Sequence, residues 1–492
     1  MKKSNYVKSN YTKNDTPQAK VLTKDQCRRI VSTAVEMLER TGVDVYYDKA
    51  REILADHGCH VDGKRVKIPS GLMEWAIRTT PSGVTMTDMK GDKKLYLEGS
   101  NSYYGPGPTN TFMIDPYTEE RRKPTKDDKR NVGKVCDQLD NIDYVMDLGT
   151  PTGVTYNLAD VHAFEAMIQN TTKPICHWGF GVEQYEVMTD MAIAIKGSLE
   201  ELRHEPFIAF YSEPSPPSIQ DYDAISKAMW AAEKGLPKVY TPCIMGGATA
   251  PASIAGVLAQ SLVTSFPGLL AGQLVNPGAP FIIGGLIAIM DMQSTILSYG
   301  SAEFLLMQGA MADLGSYMEI PIFGTAGCTD SKLLDEQAAI ESALSIGMAA
   351  TMGANLVHDV GYSEYGNTGS LYQCVLGDEV VGMVGRIMEG IEISDETLAL
   401  DVIDNVGPGG HFLGESHTMK NFKNEFWFPD LIDRQRYEAW QKSGSKSMRD
   451  RVKEKTVRLI ENDRPEVLSK DVQKDIADIL EEAEKKFAEK NK

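Results

Sequence analysis

Short apolar runs along the chain end in residues that can do chemistry. Tyr103 and Tyr104 stand in SYYGPGP, Trp178 and Phe180 in PICHWGFG, and Tyr211 and Glu213 in FIAFYSEPSPP. Asp330 and Lys332 follow IPIFGTAGCT, and His358 stands in NLVHDVGYSEYG. This set is aromatic, small and acidic, with one lysine and no arginine. A phosphate or polycarboxylate would ask for arginine, lysine or a glycine-rich phosphate loop. An organic cation asks for aromatic faces, whose quadrupole attracts it by roughly 0.5–2 kcal/mol. A quaternary ammonium has no N–H to donate, so such a cage is its main handle. His358 is a candidate for orienting a substrate carboxylate or moving a proton. His358 and Asp359 are neighbours, and neighbours on a strand point to opposite faces, so they are not expected to form a dyad. His411, in the glycine-rich stretch Gly407-Pro-Gly-Gly-His411, either covers the site or sits on the surface. His57, Cys59 and His60 have ligand-like spacing but no evident fourth ligand, so no metal centre is expected. H-E-x-x-H and G-x-S-x-G motifs are absent.

The elements that must position these residues repeat regularly. Runs begin near Ser102, Tyr144, Pro174, Phe207, Val239, Pro280, Ile320 and Asn355, each followed by a helical pattern. Strand-plus-helix units of this length are what parallel crossovers require. Eight in series predict a (β/α)8 TIM barrel, an α/β fold whose site lies at the C-terminal ends of the strands. A doubly wound sheet would advertise a nucleotide loop, and Gly179-Phe-Gly181 lacks the third glycine of one. The division expected is an N-terminal helix-and-hairpin extension over 1–98, a barrel over 99–377 and a C-terminal helical appendage over 378–492.

Composition narrows the function classes. The chain has 51 Lys and Arg against 69 Asp and Glu, a net charge of −18, which argues against nucleic acid. Residues 99–377 hold most of that excess, with 14 Lys and Arg against 31 Asp and Glu. Seven cysteines without a C-x-x-C pair suit reduced thiols and a cytoplasmic enzyme. The first fifteen residues have charge but no apolar core, unlike a signal peptide. No charged residue occurs from Val239 to Met290. Pro242, Pro251, Pro267, Pro277 and Pro280 interrupt that stretch, so a membrane span is not expected. An outer barrel helix normally shows charge to solvent. The uncharged one, around Ser253 to Leu274, is therefore expected to be covered by another subunit or by the terminal appendages, and the chain to be a homo-oligomer.

Several motifs in order carry a resemblance. They are Tyr103-Tyr-Gly-Pro-Gly107, Thr325-Ala-Gly-Cys-Thr-Asp-Ser-Lys332 with Asp335-Glu-Gln337, and Ala354-Asn-Leu-Val-His-Asp359. Gly407-Pro-Gly-Gly-His-Phe412, His417-Thr418 and Phe426-Trp-Phe-Pro429 follow. Over nearly its whole length the chain resembles the trimethylamine methyltransferase family, in its members that lack pyrrolysine. The resemblance implies a barrel enzyme moving a methyl group from a methylated amine to Co(I) of a separate corrinoid protein. The enzyme itself would bind no cofactor. Founding members use pyrrolysine inside the barrel; here the Thr325–Lys332 run is expected to stand in its place. The departure favours quaternary amines: glycine betaine first, then proline betaine or carnitine-like compounds. On that reading Tyr103, Tyr104, Trp178, Phe180 and Tyr211 form the cage. His358 and Lys332 hold a substrate carboxylate, with Asp330 orienting Lys332. Gly409, Gly410 and His411 lie on the rim where the corrinoid protein docks. The alternatives are a barrel lyase or decarboxylase using Asp330, Lys332 and His358 as acid–base groups, or a betaine-binding protein.

Overall fold

The computed structural model describes residues 16–490; most of the polar N-terminal stretch lies outside them. Seven parallel strands run side by side in the order Tyr103–Tyr104, Leu356–His358, Ile322–Thr325, Phe281–Gly284, Lys238–Tyr240, Ile208–Ser212 and Ile175–Trp178. The remaining gap is closed by the extended segment at Val145. Its neighbour Asp143 donates its N–H to Tyr104 O at 2.7 Å, and Val145 O accepts the Cys176 N–H at 3.1 Å. The eight predicted runs thus supply the eight staves of a closed α/β barrel, seven as strands and one as this bridge.

The turn chemistry explains why strand and helix alternate. Asp221, Ser301, Asp335 and Ser370 each cap the helix after a strand by accepting an N–H of its first turn. Along each strand alternate side chains enter the barrel. Cys176 and Trp178 face inward, whereas Ile175 and His177 pack outward, with His177 stacked on Phe164 at 5.7 Å. The lumen is filled by Tyr103, Tyr144, Met146, Ala209, Val239, Ile282 and Phe323. Val84, Met86, Leu95 and Leu97 join that cluster from the hairpin Val84–Thr87/Lys94–Leu97, which plugs the N-terminal end of the barrel.

The uncharged helix is Ile254–Val275. Among the described residues it is the one helix long and apolar enough to cross a membrane, and 78% of its most apolar window is buried. Its cover is the N-terminal extension: Ala34 and Leu38 of Lys24–Arg40 and Met73 and Ala76 of Ser70–Thr79 share one core with Leu262, Phe266 and Leu270. A terminal appendage of the same chain, not a second subunit, takes that face out of water. Phe266 is wholly buried there. Phe266→Ala is expected to cost about 3–5 kcal/mol, read as a lowered denaturant midpoint with an unchanged slope.

The eighth barrel helix, Leu371–Met388, runs unbroken through the 377/378 boundary expected from sequence. Beyond it, helix Met448–Glu461 packs on Lys126–Gln138 and Leu371–Met388, and helix Lys470–Lys490 packs on Val182–Lys196. Between Leu371–Met388 and Met448–Glu461 lie four helices with no buried residue, Asp395–Leu398, Leu400–Val406, Ser416–Glu425 and Tyr437–Lys442.

Candidate active site

The C-terminal strand ends bring Trp178, Tyr211, Phe323, Thr325 and His358 to one opening. The Trp178 indole donates to Asp147 Oδ2 at 2.9 Å, and Asp147 Oδ1 accepts the Thr109 N–H at 3.1 Å. The Trp178 ring meets Phe180 edge-on, centroids 5.0 Å apart, and Tyr156 lies 5.4 Å beyond Phe180. Buried Asp160 fixes this turn by accepting the Phe180 N–H at 2.8 Å. Burial pushes its carboxyl up to about 7.

On the adjacent strand Tyr211, the register partner of Trp178, donates its hydroxyl to Glu213 and packs 5.6 Å from Phe323. Phe323 stacks flat on the His358 imidazole, centroids 4.0 Å apart. His358 Nδ1–H donates to Asp359 at 2.5 Å, and in the neutral ring Nε2 accepts the Thr325 hydroxyl at 3.0 Å. The two neighbours therefore do pair, against the expectation from strand alternation. The strand ends at His358, and Asp359 takes a left-handed φ of 76° that swings its carboxylate back to the ring. Asp359 Oδ2 is buried and has no hydrogen-bond partner. After burial itself, the charge of Asp359 is the next cause raising the Tyr299 and Tyr362 hydroxyls.

Glu213 has two properties that rarely coincide. Its side chain is exposed, yet burial raises its carboxyl above the usual glutamate range, opposed by the Tyr211 hydrogen bond and by His358. Glu213 follows directly on the end of strand Ile208–Ser212, at the mouth of the barrel. The opening therefore presents aromatic side chains and the Glu213 carboxylate, while the unpaired Asp359 oxygen stays buried.

The other expected site residues stand on the rim of this opening or away from it. Tyr104 points out of the barrel, donating its hydroxyl to Ile346 O at 3.2 Å among the outer helices. Tyr103 faces inward but pairs with Leu356, below the level of His358. Its hydroxyl accepts the Tyr96 N–H of the plug at 3.1 Å. The Asp330 carboxylate ties down another loop, accepting from Ser298 Oγ at 2.6 Å and from the N–H groups of Tyr299 and Gly300. Lys332 donates instead to the Asp330 carbonyl at 2.8 Å and stands exposed on the rim. Gly409, Gly410 and His411 are exposed on a segment that leaves the far end of Leu371–Met388. Barrel helices run antiparallel to their strands, so this end lies away from the opening. Asp147 and Phe323 were not singled out as site residues, and Thr325 only as the start of the Thr325–Lys332 run. Asp147 had a signal, being the acid inside the second run, YVMDLGTPTG.

Comparison with known proteins gives consistent relatives. The family model for trimethylamine methyltransferase (MTTB) matches residues 1–488. Trimethylamine methyltransferase MttB of Desulfitobacterium hafniense strain DSM 10664 / DCB-2 is 31% identical over 460 residues, 93% of this chain and 92% of its own. Glycine betaine methyltransferase of D. hafniense strain Y51 is 31% identical over 430 residues, 87% of this chain and 89% of its own. The monomethylamine methyltransferase MtmB of Methanosarcina barkeri shares the fold. Its TM-score is 0.50 at 13% identity, over 89% of this chain and 87% of that one.

Proposed function

The chain belongs to the trimethylamine methyltransferase family, and from that premise we propose that it moves a methyl group from a quaternary amine to Co(I) of a cognate corrinoid protein. The observation that carries the reading is the opening itself: Trp178, Phe180 and Tyr211 beside the accessible Glu213. This is the surface a permanent cation needs. A quaternary nitrogen already carries its leaving group as a neutral tertiary amine. The C–N bond breaks, its electron pair stays on nitrogen, and the methyl carbon is taken in line by the nucleophilic acceptor. No proton has to move. The protein supplies position, which can lower a barrier by several kcal/mol. Glycine betaine is the first amine to test, then proline betaine and carnitine. Their carboxylates would be met by His358 or, nearer the rim, by Lys332.

The test mixes enzyme, a reduced corrinoid protein and each amine and follows the cobalamin spectrum. Methyl-Co(III) forming with a quaternary amine supports the reading; none forming with any of them sinks it. The pH profile carries a second expectation. Cation binding needs Glu213 ionised, and its pKa is raised by burial. The kcat/KM therefore rises with pH through a midpoint above the ordinary glutamate value, while kcat stays flat because no proton is transferred. Glu213→Gln should erase the limb in kcat/KM; a limb that survives the substitution belongs to another group.

A further inference from the structure

Asp147 is a wholly buried carboxylate, and the donors on its two oxygens are both neutral: the Trp178 indole N–H at 2.9 Å and the Thr109 backbone N–H at 3.1 Å. Lys129, the buried cation beside it, donates at 2.7 Å to the Asp147 backbone carbonyl and not to the carboxylate. Burial pushes the Lys129 amine down to about 8, against the pull of the Asp147 and Asp128 charges. A buried indole N–H asks only for an acceptor. A backbone carbonyl would serve at far lower desolvation cost than a carboxylate. The backbone is bent to keep the arrangement. Thr109 takes a left-handed φ of 58°, a rare conformation for a β-branched residue, and its N–H meets Asp147 from there. Leu148, with a φ of 48°, donates its N–H to Gly107 O at 2.9 Å and lashes the two loops together. Strain of this kind persists where the surroundings over-determine it, and it clusters at binding sites.

We propose that Asp147 is a positioning residue acting through Trp178: its carboxylate holds the indole and enriches the ring in electrons, so that the opening selects a permanent cation over a neutral group of the same shape. The proposal rests on the reading that a quaternary amine binds at this opening. A hydrogen bond to a charged acceptor is roughly twice as strong as a neutral one. Its negative end pushes the N–H electrons toward the ring, and a richer ring attracts a cation more strongly. Trp178 and Tyr211 are register partners on neighbouring strands, so the enriched ring stands beside the Tyr211–Glu213 pair. The two acids divide the work. Glu213 is exposed at the mouth, whereas Asp147 sits behind the ring with no solvent to screen it. A trimethylammonium group on the ring is drawn by both; a tert-butyl group of equal size is drawn by neither.

The experiment is calorimetric titration of the full chain with two pairs of ligands. Glycine betaine is set against 3,3-dimethylbutanoate, and choline against 3,3-dimethyl-1-butanol. In each pair carbon replaces the quaternary nitrogen and nothing else changes. The ratio of dissociation constants within a pair is the cation preference, and it cancels what a substitution does to the shape of the site. Asp147→Asn is expected to lower that preference about 10-fold. An equal loss of both members would show a merely structural role and overturn the proposal, as would an unchanged ratio. A wild-type chain without cation preference overturns the proposal together with the quaternary-amine reading; a preference that survives in the variant overturns the proposal alone. Asparagine leaves one of the two N–H groups without an acceptor, so a second comparison guards against a chain that does not fold. It sets Trp178→Phe against Trp178→Phe/Asp147→Asn, where the asparagine oxygen is left to Thr109. If Asp147 acts through the indole, these two chains share one preference, below that of the wild type. A further drop on adding asparagine would show the carboxylate acting directly on the cation and defeat the proposal. Cobalamin spectra do not enter these ratios, so cation selection and methyl transfer are tested separately.

Discussion

Glu213→Gln is expected to raise KM for a quaternary amine about 30- to 100-fold, roughly 2–3 kcal/mol, with kcat unchanged or higher. Glutamine keeps the size of the side chain and can still accept the Tyr211 hydroxyl. It removes the charge, and with it the attraction for a cation in a site crowded by protein. The direction of the kcat effect follows from the chemistry. The ammonium charge is being lost as the C–N bond breaks, so a carboxylate stabilises the bound amine more than the transition state. Removing it weakens binding without raising the barrier from the bound complex. A general acid or base at this position would behave oppositely, with kcat falling by two or more orders of magnitude. Steady-state kinetics with an excess of reduced corrinoid protein separates the two, and a collapse of kcat at unchanged KM would return the lyase reading to the front.

Gly107→Ala is expected to lower kcat by about 100-fold. The glycine lies against the pair at the floor of the site: a β-carbon there would come within 2.1 Å of Asp359 Oδ1 and 2.4 Å of the Tyr362 ring. Neither can step aside freely. Asp359 is held by His358, and the Tyr362 hydroxyl is tied to Pro108 O. The added methyl pushes the carboxylate off the imidazole, and a displacement of about 1 Å at a reacting centre can cost about 10²-fold in rate. Overpacking should also cost about 1–3 kcal/mol of stability, so kinetics must be measured below the lowered melting temperature. Full activity in Gly107→Ala would mean that the Asp359 position is immaterial.

Much of this was legible in the residues, and the failures have physical causes. The barrel was readable because each strand is short, apolar on both faces and followed by a capped helix, a rhythm that survives any uncertainty of a residue or two at the ends. Trp178, Phe180, Tyr211 and His358 could be grouped from sequence because all four stand at or just after strand ends, where a barrel keeps its site. Tyr104 could have been excluded without a structure: once Tyr103 faces the lumen, its neighbour must face the helices. The level of Tyr103 could not, since the hairpin that plugs the barrel comes from residues 84–97, before the first strand. The His358–Asp359 pair depended on one left-handed backbone angle, which no period-two argument contains. Asp330 and Lys332 stood out because they follow the seventh run, and what no run shows is that the Asp330 carboxylate holds Ser298–Gly300. The glycine-rich stretch with His411 was placed by analogy of composition, and only the course of Leu371–Met388 shows which end of the barrel it leaves.

The plug formed by Val84–Thr87 and Lys94–Leu97 also dictates the order of events. A barrel sealed at its base has a single doorway, and under the proposed activity the methyl acceptor has to stand in that doorway. The amine must therefore be aboard before the acceptor arrives, and the demethylated amine stays trapped until the acceptor leaves. Loading, transfer and release become a compulsory sequence governed by the comings and goings of the acceptor. The hairpin, which touches neither reactant, thereby makes the larger partner the gatekeeper of the smaller one.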